Sequence, residues 1–195
     1  SLEAALREAH LPVDLVWVVG VESSFEPQAT SPAQAAGLWQ LMPQTAAEQG
    51  LAINSWGDER RGIDTSTRAA IRYLSDLYAN VGSWDLALSA YNAGPGRIDS
   101  AIRKLRQLQV ERGETPGRVT AADLARDGLI PRETADYVPK ITAFTLAAAN
   151  LRRFRFHHLQ PEPPLQRSPL VVPPETPLAT VARAAGISIE VLRLH

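Results

Sequence analysis

Among the residues able to do chemistry, one carboxylate stands apart. Glu22 follows the mainly apolar run Val13–Val21 and precedes the polar pair Ser23-Ser24, so a helix through that run carries its side chain out of apolar surroundings. Desolvation disfavours the charged form of a carboxyl group, and a raised pKa keeps it protonated near neutral pH, as a general acid requires. A glutamate near a helix end can equally be a cap or a surface acid, so the company it keeps matters. Ser31 stands nine residues on and Gly37-Leu38-Trp39-Gln40 begins fifteen residues on. Ala90-Tyr91-Asn92-Ala93-Gly94 and Tyr137-Val138-Pro139-Lys140 follow. Gln40 and Asn92 supply amides, Tyr91 and Tyr137 phenols, Ser31 a hydroxyl and Trp39 a flat apolar face.

In that order and at those spacings, the motifs resemble the family 1 lytic transglycosylases, lysozyme-like enzymes that cut the glycan strands of bacterial peptidoglycan. The text Glu22-Ser23-Ser24-Phe25, Ala36-Gly37-Leu38-Trp39-Gln40-Leu41-Met42-Pro43 and Ala90-Tyr91-Asn92-Ala93-Gly94-Pro95-Gly96 is most similar to the membrane-bound lytic transglycosylase D group. The resemblance spans roughly residues 1 to 155. It implies a lysozyme-like fold of the goose-type and soluble lytic transglycosylase kind, and one glutamate, Glu22, acting first as acid and then as base. It also implies that the substrate's N-acetyl group stabilises C1 and that the C6 hydroxyl of N-acetylmuramic acid closes on C1, leaving a 1,6-anhydro end.

Lysozyme-type hydrolysis instead uses two carboxylates at a defined separation. Glu26, Asp58, Glu59, Asp64 and Asp85 are the candidates for a second, and none lies in a motif resembling a nucleophile. Glu26, just before Pro27, reads as a solvated loop residue. The resemblance makes Ser31, Gln40, Tyr91, Asn92, Tyr137 and Trp39 substrate-binding candidates, each with a plainer alternative. Ser31 faces substrate or bonds its own loop. Gln40 lines the groove or is solvated, and Asn92 binds a sugar or shapes the turn before Gly94. Tyr91 and Tyr137 brace the sugar or the glutamate, and Tyr137 also fits a buried stripe. Trp39 stacks on a sugar or fills the core beneath the groove. Phe25 reads as packing, and Gly37 and Gly94 as positions of backbone freedom.

The elements that must hold these residues read as helical. Leu2, Leu6 and Ala9 form one amphipathic turn; Val13–Val21 is the segment that delivers Glu22. Pro43 suits the first turn of a helix closed by Gly50. Ala70, Leu74, Leu77 and Tyr78 share helical spacing, as do Ile98, Ile102 and Leu105 after the turn at Gly94-Pro95-Gly96. Thr120 and Asp123 read as a capping box for a short helix ending near Gly128. Tyr137, Ile141, Phe144, Ala148 and Leu151 predict a long, well-buried helix. The class is all-α, with a catalytic domain over 1–158.

Seven of the fifteen prolines fall between Pro161 and Pro177, which predicts an extended connector over 159–177. Leu178 to Gly186 reads as a compact amphipathic helix, with another beginning at Ile187. This short tail, 178–195, together with Leu170 onward, resembles part of a LysM peptidoglycan-binding module without its last strand; a plain helical extension is the alternative.

A net charge of −1 gives no broad basic surface for nucleic acid. The run Arg152-Arg153-Phe154-Arg155-Phe156-His157-His158 reads as the cationic end of a helix, with an acidic polymer or anionic lipid as the other reading. No cysteine is present, which excludes disulfides and thiolate chemistry. The four histidines show no metal-ligand spacing, and neither cofactor nor metal is expected. No transmembrane stretch or leader is read, so membrane association is expected only through a segment outside this sequence. The resemblance implies peptidoglycan strands as partner, a periplasmic or outer-membrane-associated location, and a monomer. A muramidase and a non-catalytic wall-binding module are the other functional readings.

Overall fold

The computed structural model describes residues 1–55, 57–156, 158, 170–189 and 192. The chain opens with α1 (Leu2–Glu8), whose Ser1 cap accepts a hydrogen bond from Ala4 N and whose Leu6 is fully buried. A 3-10 turn over Val13–Leu15 leads into α2 (Val16–Ser23). Val18, Val19 and Gly20 are buried, and the helix is apolar on nearly every side, as an interior helix is. It ends abruptly because Ser24 (φ +53°) and Phe25 (φ +64°) both adopt the left-handed conformation. That conformation costs an L-residue about 1–2 kcal/mol, and here it swings the chain away just past Glu22.

Next come α3 (Pro43–Glu48), with Pro43 in its first turn, and a hairpin of β1 (Ile53–Asn54) and β2 (Gly57–Asp58). Ile53 opposes Asp58 and Asn54 opposes Gly57 in antiparallel register. Strands of two residues carry no readable alternation, so the hairpin adds to the all-α expectation without changing the class. The body is completed by α4 (Ile63–Val81), α5 (Trp84–Ala93), α6 (Pro95–Glu111), α7 (Ala121–Arg126) and α8 (Arg132–Ala149). The Thr120–Asp123 capping box is formed in both directions. Gly94-Pro95-Gly96 is tighter than a free turn: Gly94 (φ +89°) ends α5 and Pro95 already starts α6.

The core has two parts joined by α5. Leu6, Val18, Val19, Trp39, Leu74, Leu88 and Tyr137 belong to one. Leu77, Leu86, Ala90, Ile98, Leu105 and Leu124 belong to the other. Because α5 supplies Leu88 to the first and Leu86 and Ala90 to the second, it packs on α4, α6 and α8 at once, and α2 packs on α8.

The buried stripe expected along α8 is only half right. Tyr137 and Ile141 are buried, but Phe144 is 42% exposed, and Leu151, at 43%, lies past the end of the helix at Ala149. An eight-residue α2, ~12 Å long, cannot cover an 18-residue helix of ~27 Å. Phe144 instead stacks on Trp17 at a ring separation of 5.7 Å.

Beyond the body, residues 170–173 form no regular element, with Val171 94% exposed, and α9 (Leu178–Ala185) follows. Most of the proline connector and of the second tail helix lie outside the described residues.

Candidate active site

The last turn of α2 places Glu22, and the first two turns of α8 meet it. Tyr137, buried at 3% exposure, donates its hydroxyl to Glu22 Oε1 at 2.6 Å. Burial pushes the Glu22 carboxyl up to about 7 from 4.5; the Tyr137 hydrogen bond pulls it down and the negative charge of Glu133 pushes it up. Net, a carboxyl with this surrounding is about half protonated at neutral pH, able to give a proton or take one. Both nearby phenols are raised well above their ordinary range, by burial first and by Glu22 second, so they remain donors.

The loop between α2 and α3 is drawn against this pocket by a set of side-chain to backbone bonds. Ser23 Oγ donates to Leu38 O at 2.8 Å, with Val19 O a second acceptor at 3.2 Å. Tyr91 donates its hydroxyl to Trp39 O at 2.7 Å. Gln40 Nε2 donates to Gly37 O at 2.8 Å and Ala29 O at 3.2 Å. Gly37, at φ +81°, is irreplaceable here, since a Cβ would collide with the Arg60 carbonyl. Arg60, 5% exposed, grips Asp58 with two bonds and donates through Nη1 to Gln34 O and Leu41 O. Arg61 donates to Gln28 O and to Thr30 Oγ1, both at 2.7 Å.

The candidate residues therefore divide. Glu22 and Tyr137 are in direct contact. Asn92, in the final turn of α5 and not in a turn outside it, accepts from Thr134 Oγ1 at 2.8 Å and keeps its two amide hydrogens as donors. Gln40 is half-buried and spends its amide N–H on the loop, leaving the carbonyl oxygen as an acceptor. Tyr91 supports the loop through Trp39 O. Ser31 Oγ accepts from Ala35 N at 3.1 Å, the loop-bonding alternative, and is half-buried.

Trp39 is a correction. It is 0% exposed, and its indole N–H donates to Thr67 Oγ1 at 3.0 Å, so it fills the core beneath the loop and offers no face to a sugar.

The second-carboxylate candidates are occupied elsewhere. Asp58 pairs with Arg60 at 2.7 Å, Glu59 accepts from Ala52 N, and Asp85 accepts from Ala121 N. Glu26 accepts from Gln28 N within its own loop. What the motif reading missed is Glu133 and Thr134, just ahead of the Tyr137 motif; their four- and three-residue spacing to Tyr137 is the signal that could have found them. Among the described residues no group of His, Asp and Glu is arranged to hold a metal ion.

The site is thus an acid at the end of a buried helix, bonded by a phenol from a second helix, in a mainly helical body. The Transglycosylase SLT domain family matches residues 1–111, and the chain belongs to that family. It is 35% identical over 193 residues to the membrane-bound lytic murein transglycosylase D of Escherichia coli K12, an alignment covering 96% of this chain and 39% of that protein. It is 32% identical over 129 residues to the soluble lytic murein transglycosylase of the same strain, covering 63% of this chain and 18% of that one. The crystal structure of the 70 kDa soluble lytic transglycosylase from Escherichia coli superposes with a TM-score of 0.56 at 25% identity, over 79% of this chain and 24% of that one. The chain thus spans about two fifths of the length of the first of these relatives.

Proposed function

We propose that residues 1–158 form the catalytic unit of a peptidoglycan lytic transglycosylase that cleaves the N-acetylmuramic acid–β-1,4–N-acetylglucosamine bond without water. The observation that carries this reading is the Glu22 carboxyl, raised to about 7 by burial and held at 2.6 Å by Tyr137. Family membership supports the same reading.

In its acid form Glu22 gives its proton to the glycosidic oxygen as the C1–O4 bond breaks, and the N-acetyl oxygen of the same sugar closes on C1. The Glu22 carboxylate then takes the proton of the C6 hydroxyl as O6 displaces the N-acetyl oxygen from C1. The proton is back on Glu22, and no water has been consumed. Placing O6 and C1 in one ring supplies the effective concentration that an external nucleophile would lack. Tyr137 orients Glu22 and lowers its pKa toward neutrality. The Asn92 amide, the Gln40 carbonyl and the Ser31 hydroxyl are the groups that bind the glycan, and Tyr91 holds the loop that carries Gln40 and Ser31.

Hydrolysis by a muramidase would need a carboxylate to position water, and Asp58 and Asp85 are engaged in structural bonds. A pure binding module would have no use for a desolvated proton donor. Peptidoglycan as substrate places the working protein in the cell envelope, periplasmic or outer-membrane-associated. No helix among the described residues is long and apolar enough to cross a membrane.

Mass spectrometry of soluble products from purified peptidoglycan tests the reading. Products ending in 1,6-anhydro-N-acetylmuramic acid, lost in Glu22→Gln by about 10²–10⁴-fold, are expected. Reducing ends one water heavier would establish hydrolysis instead.

A further inference from the structure

In the sequence, Arg152-Arg153-Phe154-Arg155-Phe156 reads as the cationic end of a helix, where it would complement the last carbonyls. The structure places it differently. Helix α8 ends at Ala149 with no basic residue in its last turn, and the arginines follow in a turn of their own. That turn is well formed. Phe154 N donates to Asn150 O at 3.2 Å, Phe156 N to Leu151 O at 2.8 Å and Arg155 N to Arg152 O at 3.1 Å. The last two bonds are those of a Schellman closure, with Arg155 (φ +62°) in the left-handed position that glycine usually fills. Residues 151–156 are all exposed, Phe154 at 48% and Phe156 at 43%, so neither ring is packed away into the core. The end of α8 and the start of this turn, residues 148–153, line an open cavity of about 550 Å³.

We propose that this turn is a docking surface for an anionic phospholipid membrane, on which the arginines meet the phosphate headgroups and the two phenylalanine rings enter the interface. Charge complementarity is the first ground. Between Asp136 and Glu162 the chain has no Asp or Glu, whereas Lys140, Arg152, Arg153 and Arg155 all fall there, in a chain of net charge −1. Among the described residues no carboxylate pairs with any of the three arginines. Such a cluster suits a polyanion, and the rings beside it choose which one. A membrane offers a sheet of phosphates together with an apolar layer, and aromatic side chains favour that boundary. An acidic wall polymer has the charge but no apolar phase, and would leave both rings in water. Ala149 stands about 18 Å along α8 from Tyr137, which keeps a lipid surface seated on the turn away from the acid.

The test is sedimentation of the full chain with vesicles of phosphatidylglycerol and phosphatidylethanolamine, and with vesicles of phosphatidylcholine alone. Binding to the first and not to the second is expected, weakening as salt screens the exposed charges. Arg152→Gln, Arg153→Gln and Arg155→Gln together lower the affinity about 10²-fold, and each alone about five-fold. Phe154→Ser with Phe156→Ser lowers it as well, because ring surface no longer leaves water. Arg103→Gln, Lys104→Gln and Arg106→Gln on α6, equally exposed and equal in charge, leave it in place. An equal loss in that control would make binding a matter of net charge and overturn the proposal. Affinity indifferent to both phenylalanines, or no binding to the anionic vesicles, overturns it too. If the arginine variant instead loses binding to lipid-free peptidoglycan sacculi while neither protein binds vesicles, the turn serves an acidic wall polymer. Anhydro-product release from soluble glycan stays unchanged in the arginine variant. A wild type that releases none would sink the transglycosylase reading and leave the vesicle result standing.

Discussion

Asp58, in the hairpin, keeps 19% of its side chain exposed, and Glu22, at the end of α2, is likewise withdrawn from water. Burial pushes both carboxyls up. At Asp58 that push is outweighed by two hydrogen bonds and the charge of Arg60, with Arg61 adding to them, and the group ends below the ordinary carboxylate range. At Glu22 the partner is a neutral phenol and the charge that acts on it, that of Glu133, is another carboxylate, so burial wins and the group ends near 7. The difference is the presence of a cation. With one, a buried carboxylate becomes a permanent anion that clamps a loop; without one, it becomes a group that exchanges protons at neutral pH. The fold uses the first arrangement to hold the loop that shapes the second.

Removing the cation is the strongest way to break this contrast. Arg60→Leu leaves Asp58 charged and half-buried, removes the Arg60 donor from Gln34 O, and leaves Leu41 O with the bond from Ala36 N. Breaking a buried pair from one side costs about 3–5 kcal/mol, read as a lower midpoint in urea. Asp58→Leu added to Arg60→Leu recovers part of that loss.

Removing the charge of Glu22 has the opposite sign and depends on pH. The folded-state pKa, about 7, lies above the unfolded value of 4.5. Stability that depends on a protonated Glu22 is thus complete below about pH 4.5 and lost as pH rises through 7. The difference corresponds to about 3 kcal/mol. Glu22→Gln, which cannot ionise, is expected to be more stable than wild type near pH 8 by up to that amount and no more stable near pH 4. Thermal melts at the two pH values check it.

Tyr137→Phe sharpens the contrast from the other side. It removes the one hydrogen bond that lowers Glu22, so the falling limb of activity moves up by as much as about one pH unit while the rate falls through lost orientation. The smallest effect belongs to the core. Trp39→Phe leaves Thr67 Oγ1 without the indole donor, though that hydroxyl still donates to Ile63 O, and costs about 1–2 kcal/mol. Glycan affinity measured by calorimetry with Glu22→Gln as background stays unchanged, since Trp39 does not reach the surface.

The helical body was readable because most of its elements are long enough to show a period, and Glu22 was readable because a lone acid after an apolar run is rare. The partners were not. Tyr137 lies 115 residues from Glu22, and its place in a buried stripe is compatible with plain packing until the second helix is seen beside it. Asp58 reads as a spare acid because nothing local shows that Arg60 turns inward to grip it and two loop carbonyls. Trp39 has one side-chain chemistry for both of its possible places, and only the position of Thr67 decides. The outer half of α8 keeps an apolar period beyond the reach of α2, so periodicity overstated its burial.

The most direct test of the account is a ¹³C NMR titration of the Glu22 carboxyl in the wild-type protein, with Glu22→Gln identifying its resonance. A midpoint near 7 is the result this account predicts. A midpoint near 4.5 would mean that Glu22 is an ordinary carboxylate, charged at neutral pH, and would contradict its assignment as the proton donor.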